Sequence, residues 1–184
     1  MDLLSSYHEA GHATVSYLLG EMPDLATIHV EGDSLGHTQL LGVEARAIAE
    51  AAVRGNGAGD RERVMRYLVG LAAGPAAQAL KMRQGRRLFF YDEGQWDLFG
   101  GSKDYELAGR VMGASGGLFP DVRQHRRTQL TDIVDEAFDL LQQRSIWSAV
   151  GYVAEDLLRF GILDFEGIRD AIEFPDAIQR RGVR

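Results

Sequence analysis

Cysteine is absent from this 184-residue chain, which excludes disulfides, thiolate metal sites and a cysteine nucleophile. Lysine is nearly absent: only Lys81 and Lys103 occur, preceded by Leu80 and Ser102. A phosphate-cradling P-loop needs Gly-Lys-Ser/Thr, so the chain contains none, and Gly55-Asn56-Gly57-Ala58-Gly59 reads as a flexible loop. Long apolar runs are missing too. The longest uncharged stretch, Tyr67 to Leu80, is too short to span a bilayer and contains Pro75. No basic-then-apolar leader opens the chain, so the expectation is a cytoplasmic protein without a membrane segment. Positive charge is in deficit, with a net charge of −7, and this argues against a nucleic-acid partner.

What is present is ordinary globular composition, 45% apolar and 26% charged, with glycine in excess at 22 residues. Asp2 to Gly20 is rich in helix formers without proline, and Gly20 suits a C-cap. Ala26 to Val30 has strand character; Gly32 to Gly36 then leads into His37 to Leu41, which predicts a hairpin. Glu44 to Val53 is alanine-rich, weakly helical or part of a mobile loop. A helix is expected from about Asp60 to Met82, kinked or broken just before Pro75. Gln84 to Gly101 is irregular and aromatic; Ser102 is a plausible N-cap for a helix to about Met112, and Gly113 to Pro120 reads as a linker.

Beyond the linker the apolar residues take up a helical period. Leu130, Ile133, Val134, Ala137, Leu140 and Leu141 form one stripe; Trp147, Val150, Val153, Ala154, Leu157 and Leu158 form another. Gly161 closes the second, and Asp164 can cap a last short helix carrying Ile168 and Ile172. The fold class that emerges is mainly α (α+β): a helical domain with a small β-hairpin or sheet, followed by a C-terminal helical hairpin. Residues 1–118 form the part that carries the chemistry, and residues 119–184 form the helical remainder of the same domain.

That chemistry is concentrated in His8-Glu9-Ala10-Gly11-His12. Residues four apart share a helix face, so His8 and His12 can reach one tetrahedral zinc ion. Glu9 lies about 100° around the helix from His8, placed to act on a water at the metal. In a chain of this composition the pattern arises by chance on the order of 0.01 times. The third ligand does not follow from spacing: His29, His37, His125 and many carboxylates are available.

Ser6-Tyr7-His8-Glu9-Ala10-Gly11-His12-Ala13 resembles the signature of the zinc peptidase domain of FtsH-type proteases. The resemblance continues in the family's order through Thr27-Ile28-His29-Val30 and Leu35-Gly36-His37-Thr38, its strand pair. It extends through Leu71 to Ala79, its middle helix, to Gly100-Gly101-Ser102-Lys103-Asp104-Tyr105-Glu106-Leu107-Ala108, its Gly-Ala-x-x-Asp-Leu-x-x-Ala segment. The chain departs from the family at Pro75, Gln78 and Ala79, which replace an arginine and a Glu-Glu pair, and it carries seven residues ahead of His8 where the family has an anchor and an ATPase.

The resemblance implies a zincin-like fold and assigns Asp104 as third ligand; apart from the resemblance, Asp97, Glu93 and Glu106 are the reserves. A carboxylate in the first turn of a helix is held ionised by the helix dipole, which suits that role. It also implies a zinc metalloendopeptidase cutting unfolded or flexible polypeptides, with Glu9 as general base and one zinc per chain held by His8, His12 and Asp104. Gly36, His37 and Thr38 would lie on the strand that pairs with substrate. His37 could face the metal or be an ordinary strand histidine. The alternative is a zinc-binding interaction module, or a subunit recruited by a separate ATPase or adaptor. A homo-oligomer is the other partner expected.

Overall fold

The computed structural model of the protein describes residues 3–28, 37–40, 58–83, 96–114 and 122–175. In chain order these form α1 (Leu3–Leu18), β1 (Pro23–Thr27), β2 (His37–Leu40), α2 (Ala58–Lys81) and α3 (Ser102–Ala114). They continue through α4 (Val122–Leu141), α5 (Arg144–Phe160), β3 (Ile162–Asp164) and α6 (Phe165–Glu173). The protein is thus mainly helical with a small antiparallel sheet of order β2-β1-β3, the class its periodicities imply. Among the described residues no helix is long and apolar enough to cross a membrane.

Helix α1 is the axis of the molecule. From Ser6 to Ser16 it is buried at every position but Tyr7, because other elements cover it on several sides: α2 most extensively, then α5, with β1, β2, α4 and α6 adding smaller contacts. The approach to α2 depends on small residues. A Cβ on Gly11 would stand 2.5 Å from the Ala73 carbonyl oxygen and 2.7 Å from the Ala77 Cβ, so the two backbones nearly touch where they cross. Glu21 N–H bonded to the Ser16 carbonyl and Gly20 N–H to that of Tyr17 close α1, with Gly20 in the expected capping place.

The two C-terminal stripes both enter the core. Leu130, Ile133, Val134, Ala137 and Leu141 of α4 are buried, as are Val150, Val153, Ala154 and Leu157 of α5. They join one cluster with Ala10, Ala13, Leu68 and Ala72. The hairpin straddles the N-terminal helices, since α4 packs on α2 and α5 on α1 more than on each other. Gly161 ends α5 in the left-handed region (φ 80°), and the Asp164 carboxylate accepts from Gly167 N–H at the start of α6, both as their residue types suggest.

Several boundaries differ from expectation. Strand β1 runs from Pro23 to Thr27 and so begins three residues ahead of the expected Ala26, while His29 and Val30 of that expectation lie outside the described residues. Thr27 faces His37 of β2 and Ile162 of β3, and proline is tolerated as a first strand residue. Strand β3, three residues between two helices, was not expected at all. Helix α2 starts inside the glycine-rich stretch, at Ala58, and continues through Pro75 without a break. The proline removes one intrahelical donor, yet its ring is packed against Gly101, where a Cβ would come within 2.9 Å. Tertiary packing overrides the local cost. Helix α3 runs past Met112 through Gly113 to Ala114. Its first intrahelical bond runs from Tyr105 N–H to the Gly101 carbonyl, so Gly101 and not Ser102 holds the N-cap place. The stretch Glu44 to Val53 lies outside the described residues.

Candidate metal centre

His8 and His12 lie on the buried helix α1, and α2 and the turn ahead of α3 bring them partners. His12 Nδ1 donates to the Gly70 carbonyl on α2 at 2.8 Å. His8 Nδ1 donates to the Phe99 carbonyl at 3.1 Å. A carbonyl can only accept, so each ring carries a proton on Nδ1, and in the neutral ring Nε2 presents its lone pair. Those two Nε2 atoms are 3.0 Å apart, and the Asp104 Oδ2 lies 3.2 Å from His8 Nε2 and 3.4 Å from His12 Nε2. Three acceptors thus face one point. Lone pairs at such separations repel unless a positive charge sits among them, either a metal ion or a proton on one Nε2.

The separations also say what size of cation fits. Four ligands arranged tetrahedrally about an ion at ~2.1 Å are about 3.4 Å apart. The observed spacings of 3.0–3.4 Å match a small ion taking nitrogen and oxygen ligands, and two imidazole nitrogens do not suit calcium, which takes oxygen ligands. His8, His12 and Asp104 therefore form a group that could hold a metal ion. Side-chain exposure is 9% at the histidines and 17% at the carboxylate.

The Asp104 carboxylate is placed by an unbroken local chain. Residues 96–99 make a short turn ended by Gly100 in the left-handed region (φ 71°). Gly101 N–H bonds to the Trp96 carbonyl and Gly100 N–H to that of Asp97, a Schellman arrangement. The Phe99 carbonyl left over at the end of that turn is the one His8 uses, and Gly101 then opens α3, whose first turn carries Asp104. One turn supplies a partner for His8 and leads directly into the helix that carries Asp104.

Electrostatics follow from this proximity. Burial works against charge on His12, but the Asp104 carboxylate, Glu9 and the Gly70 carbonyl outweigh it and push its pKa up to about 9. Burial likewise opposes ionisation of Asp104, and His12 and His8 overcome it, holding the carboxyl well below its usual range. Burial, with the charges of Asp104 and Glu21, pushes the Tyr67 hydroxyl up to about 12.

No protein-family model and no curated protein matches this chain.

Glu9 is buried, 5% exposed, and its Oε2 accepts from the Thr38 hydroxyl at 2.9 Å. Of the strand residues expected to meet substrate, Thr38 thus points its hydroxyl at Glu9. His37 lies in β2 opposite Thr27, and Gly36 lies outside the described residues. The reserve ligands are engaged or not described: Asp97 accepts from Ser102, Glu106 pairs with Arg110, and Glu93 lies outside the described residues. The structure adds residues that sequence reasoning passed over. Gly74 leaves room for the imidazole, since a Cβ there would stand 2.2 Å from His12 Nε2. The carbonyls of Gly70 and Phe99 carry no side-chain signal; only the small residues Gly70, Ala73, Gly74 and Ala77, recurring on one face of α2, could have marked it as the surface against the HEAGH helix.

Proposed function

We propose that the chain is a zinc metallopeptidase that cleaves unfolded or flexible polypeptides, similar to the proteolytic domain of FtsH-type proteases. The observation that carries this reading is the convergence of the His8 and His12 Nε2 atoms and Asp104 Oδ2, with both Nδ1 protons committed to carbonyls. That donor set suits zinc and leaves a ligand position for water or substrate. A buried glutamate one residue from the first ligand favours catalysis over a purely structural ion, which needs no base.

When bound, zinc would supply Lewis-acid polarisation of a carbonyl and a water acidic enough to react at neutral pH. Glu9 takes the proton of the attacking water and passes it to the leaving amine. His8 and His12 stay in their Nδ1–H tautomers through their carbonyl bonds, so they hold direction through the cycle. Strand β2 lies at one end of the β2-β1-β3 sheet and is tied to α1 at Glu9. Its outer edge suits pairing with an extended peptide, whose scissile bond would then pass the site.

Zinc content and cleavage of unfolded casein by the unmutated chain and Glu9→Gln test the reading together. We expect zinc in both proteins and cleavage reduced by at least ~10²-fold in Glu9→Gln. Equal cleavage by the two would sink the mechanism. Zinc in both with cleavage by neither would favour a metal-binding interaction module.

A further inference from the structure

Among the described residues the Thr38 hydroxyl has two acceptors within reach, both from one residue: Glu9 Oε2 at 2.9 Å and the Glu9 carbonyl oxygen at 3.2 Å. A hydroxyl has one proton and can serve one of them at a time, and the carboxylate is the closer and the charged one. Thr38 sits in the middle of β2, its Cα opposite Ala26 of the central strand. The backbone of α1 is fixed by burial, but a glutamate side chain keeps three rotatable bonds, and an unheld carboxylate in that position can turn away from its task.

Resting on the peptidase reading, we propose that Thr38 is a positioning residue for Glu9: its hydroxyl holds Oε2, leaves Oε1 as the oxygen that exchanges the proton, and joins the substrate-pairing strand to the base. Threonine suits this better than a fixed donor. When Glu9 carries the proton on Oε1, Oε2 remains an acceptor and the same bond persists, so the side chain need not reorient between taking the proton and giving it up. Because the hydroxyl belongs to β2, a peptide docked along that strand is in register with the carboxylate that serves it.

The test combines turnover with a measurement that needs none. In the full chain with zinc loaded, Thr38→Val removes the donor at nearly equal volume, and kcat for a flexible peptide should fall roughly ten- to hundredfold. KM and zinc content should remain those of the unmutated chain, and Thr38→Ser should restore most of the loss. Separately, Thr38→Val should lower the melting temperature clearly in the unmutated background and hardly at all on Glu9→Ala. Equal losses of melting temperature in both backgrounds, or a change confined to KM, overturn the proposal. Failure of the unmutated chain to cleave any peptide counts against the peptidase reading, and the melting-temperature cycle then still decides whether Thr38 holds Glu9.

Discussion

Gly74 of α2 faces the ring of His12 so closely that an added Cβ would stand 2.2 Å from Nε2 and 2.4 Å from Cε1. One turn earlier on the same helix, the Gly70 carbonyl accepts the His12 Nδ1 proton. The helix thus grips the imidazole from two positions, by a hydrogen bond and by an absence. Gly74→Ala must push the ring aside while leaving every ligand chemically intact. We expect metal affinity to fall roughly 10–100-fold, the usual cost of disturbing the support of a ligand. Competition against a chromophoric chelator measures this, and an unchanged affinity would show that the ring has room elsewhere.

The raised pKa of His12 gives metal binding a pH dependence of known sign. After chelation, His12 is charged in the folded state up to about pH 9, against 6.5 for an ordinary histidine. The stabilisation from that charge is complete below about 6.5 and is lost as pH rises through about 9. A metal ion must displace the proton. Binding at pH 7.5 should therefore release protons, and affinity should climb with pH until about 9. Calorimetry in two buffers of different ionisation enthalpy counts the protons; zero release at pH 7.5 would contradict the assignment of His12 as both charged group and ligand.

The third ligand can be tested by contrast between two aspartates seven residues apart. Asp104 points its Oδ2 at both histidines, whereas Asp97 accepts from the Ser102 hydroxyl. Asp104→Ala should lose most of its zinc on dialysis, and Asp97→Ala should keep about one ion per chain. Metal analysis of the two purified variants decides it, and full zinc retention by Asp104→Ala would reassign the ligand.

These relationships explain which parts of the molecule were legible beforehand. His8, Glu9 and His12 could be read because four-residue spacing on a helix is a local property, and the helices around Leu130 to Leu158 because burial imposes a period. Asp104 came within reach only through a resemblance, since its contact with His8 spans 96 residues and no periodicity encodes it. The supports of the histidines are backbone carbonyls, which every residue has. At Pro75 the expected break is absent, because local propensity is outweighed by packing against Gly101. Strand β3 is three residues long, too short for alternation to show, and it exists because β1 has a second edge to pair.

The glycine inside the HEAGH motif supports a last prediction, about stability. At Gly11 a Cβ would meet the Ala73 carbonyl oxygen at 2.5 Å and the Ala77 Cβ at 2.7 Å. Neither neighbour can swing away, because one is backbone and the other a β-carbon fixed to it, so α1 and α2 must separate. Overpacking of this kind costs about 1–3 kcal/mol, occasionally more. Gly113, near the end of α3, is the control: among the described residues an added Cβ there meets nothing within 4 Å. Because alanine is the better helix former and restricts the unfolded chain, Gly113→Ala should stabilise by about 0.4–1 kcal/mol. Denaturant melts of the two variants should therefore move in opposite directions from the parent. Gly11→Ala at parental stability would mean that the close crossing of α1 and α2, which brings Gly70 and Gly74 to His12, is looser than these distances require.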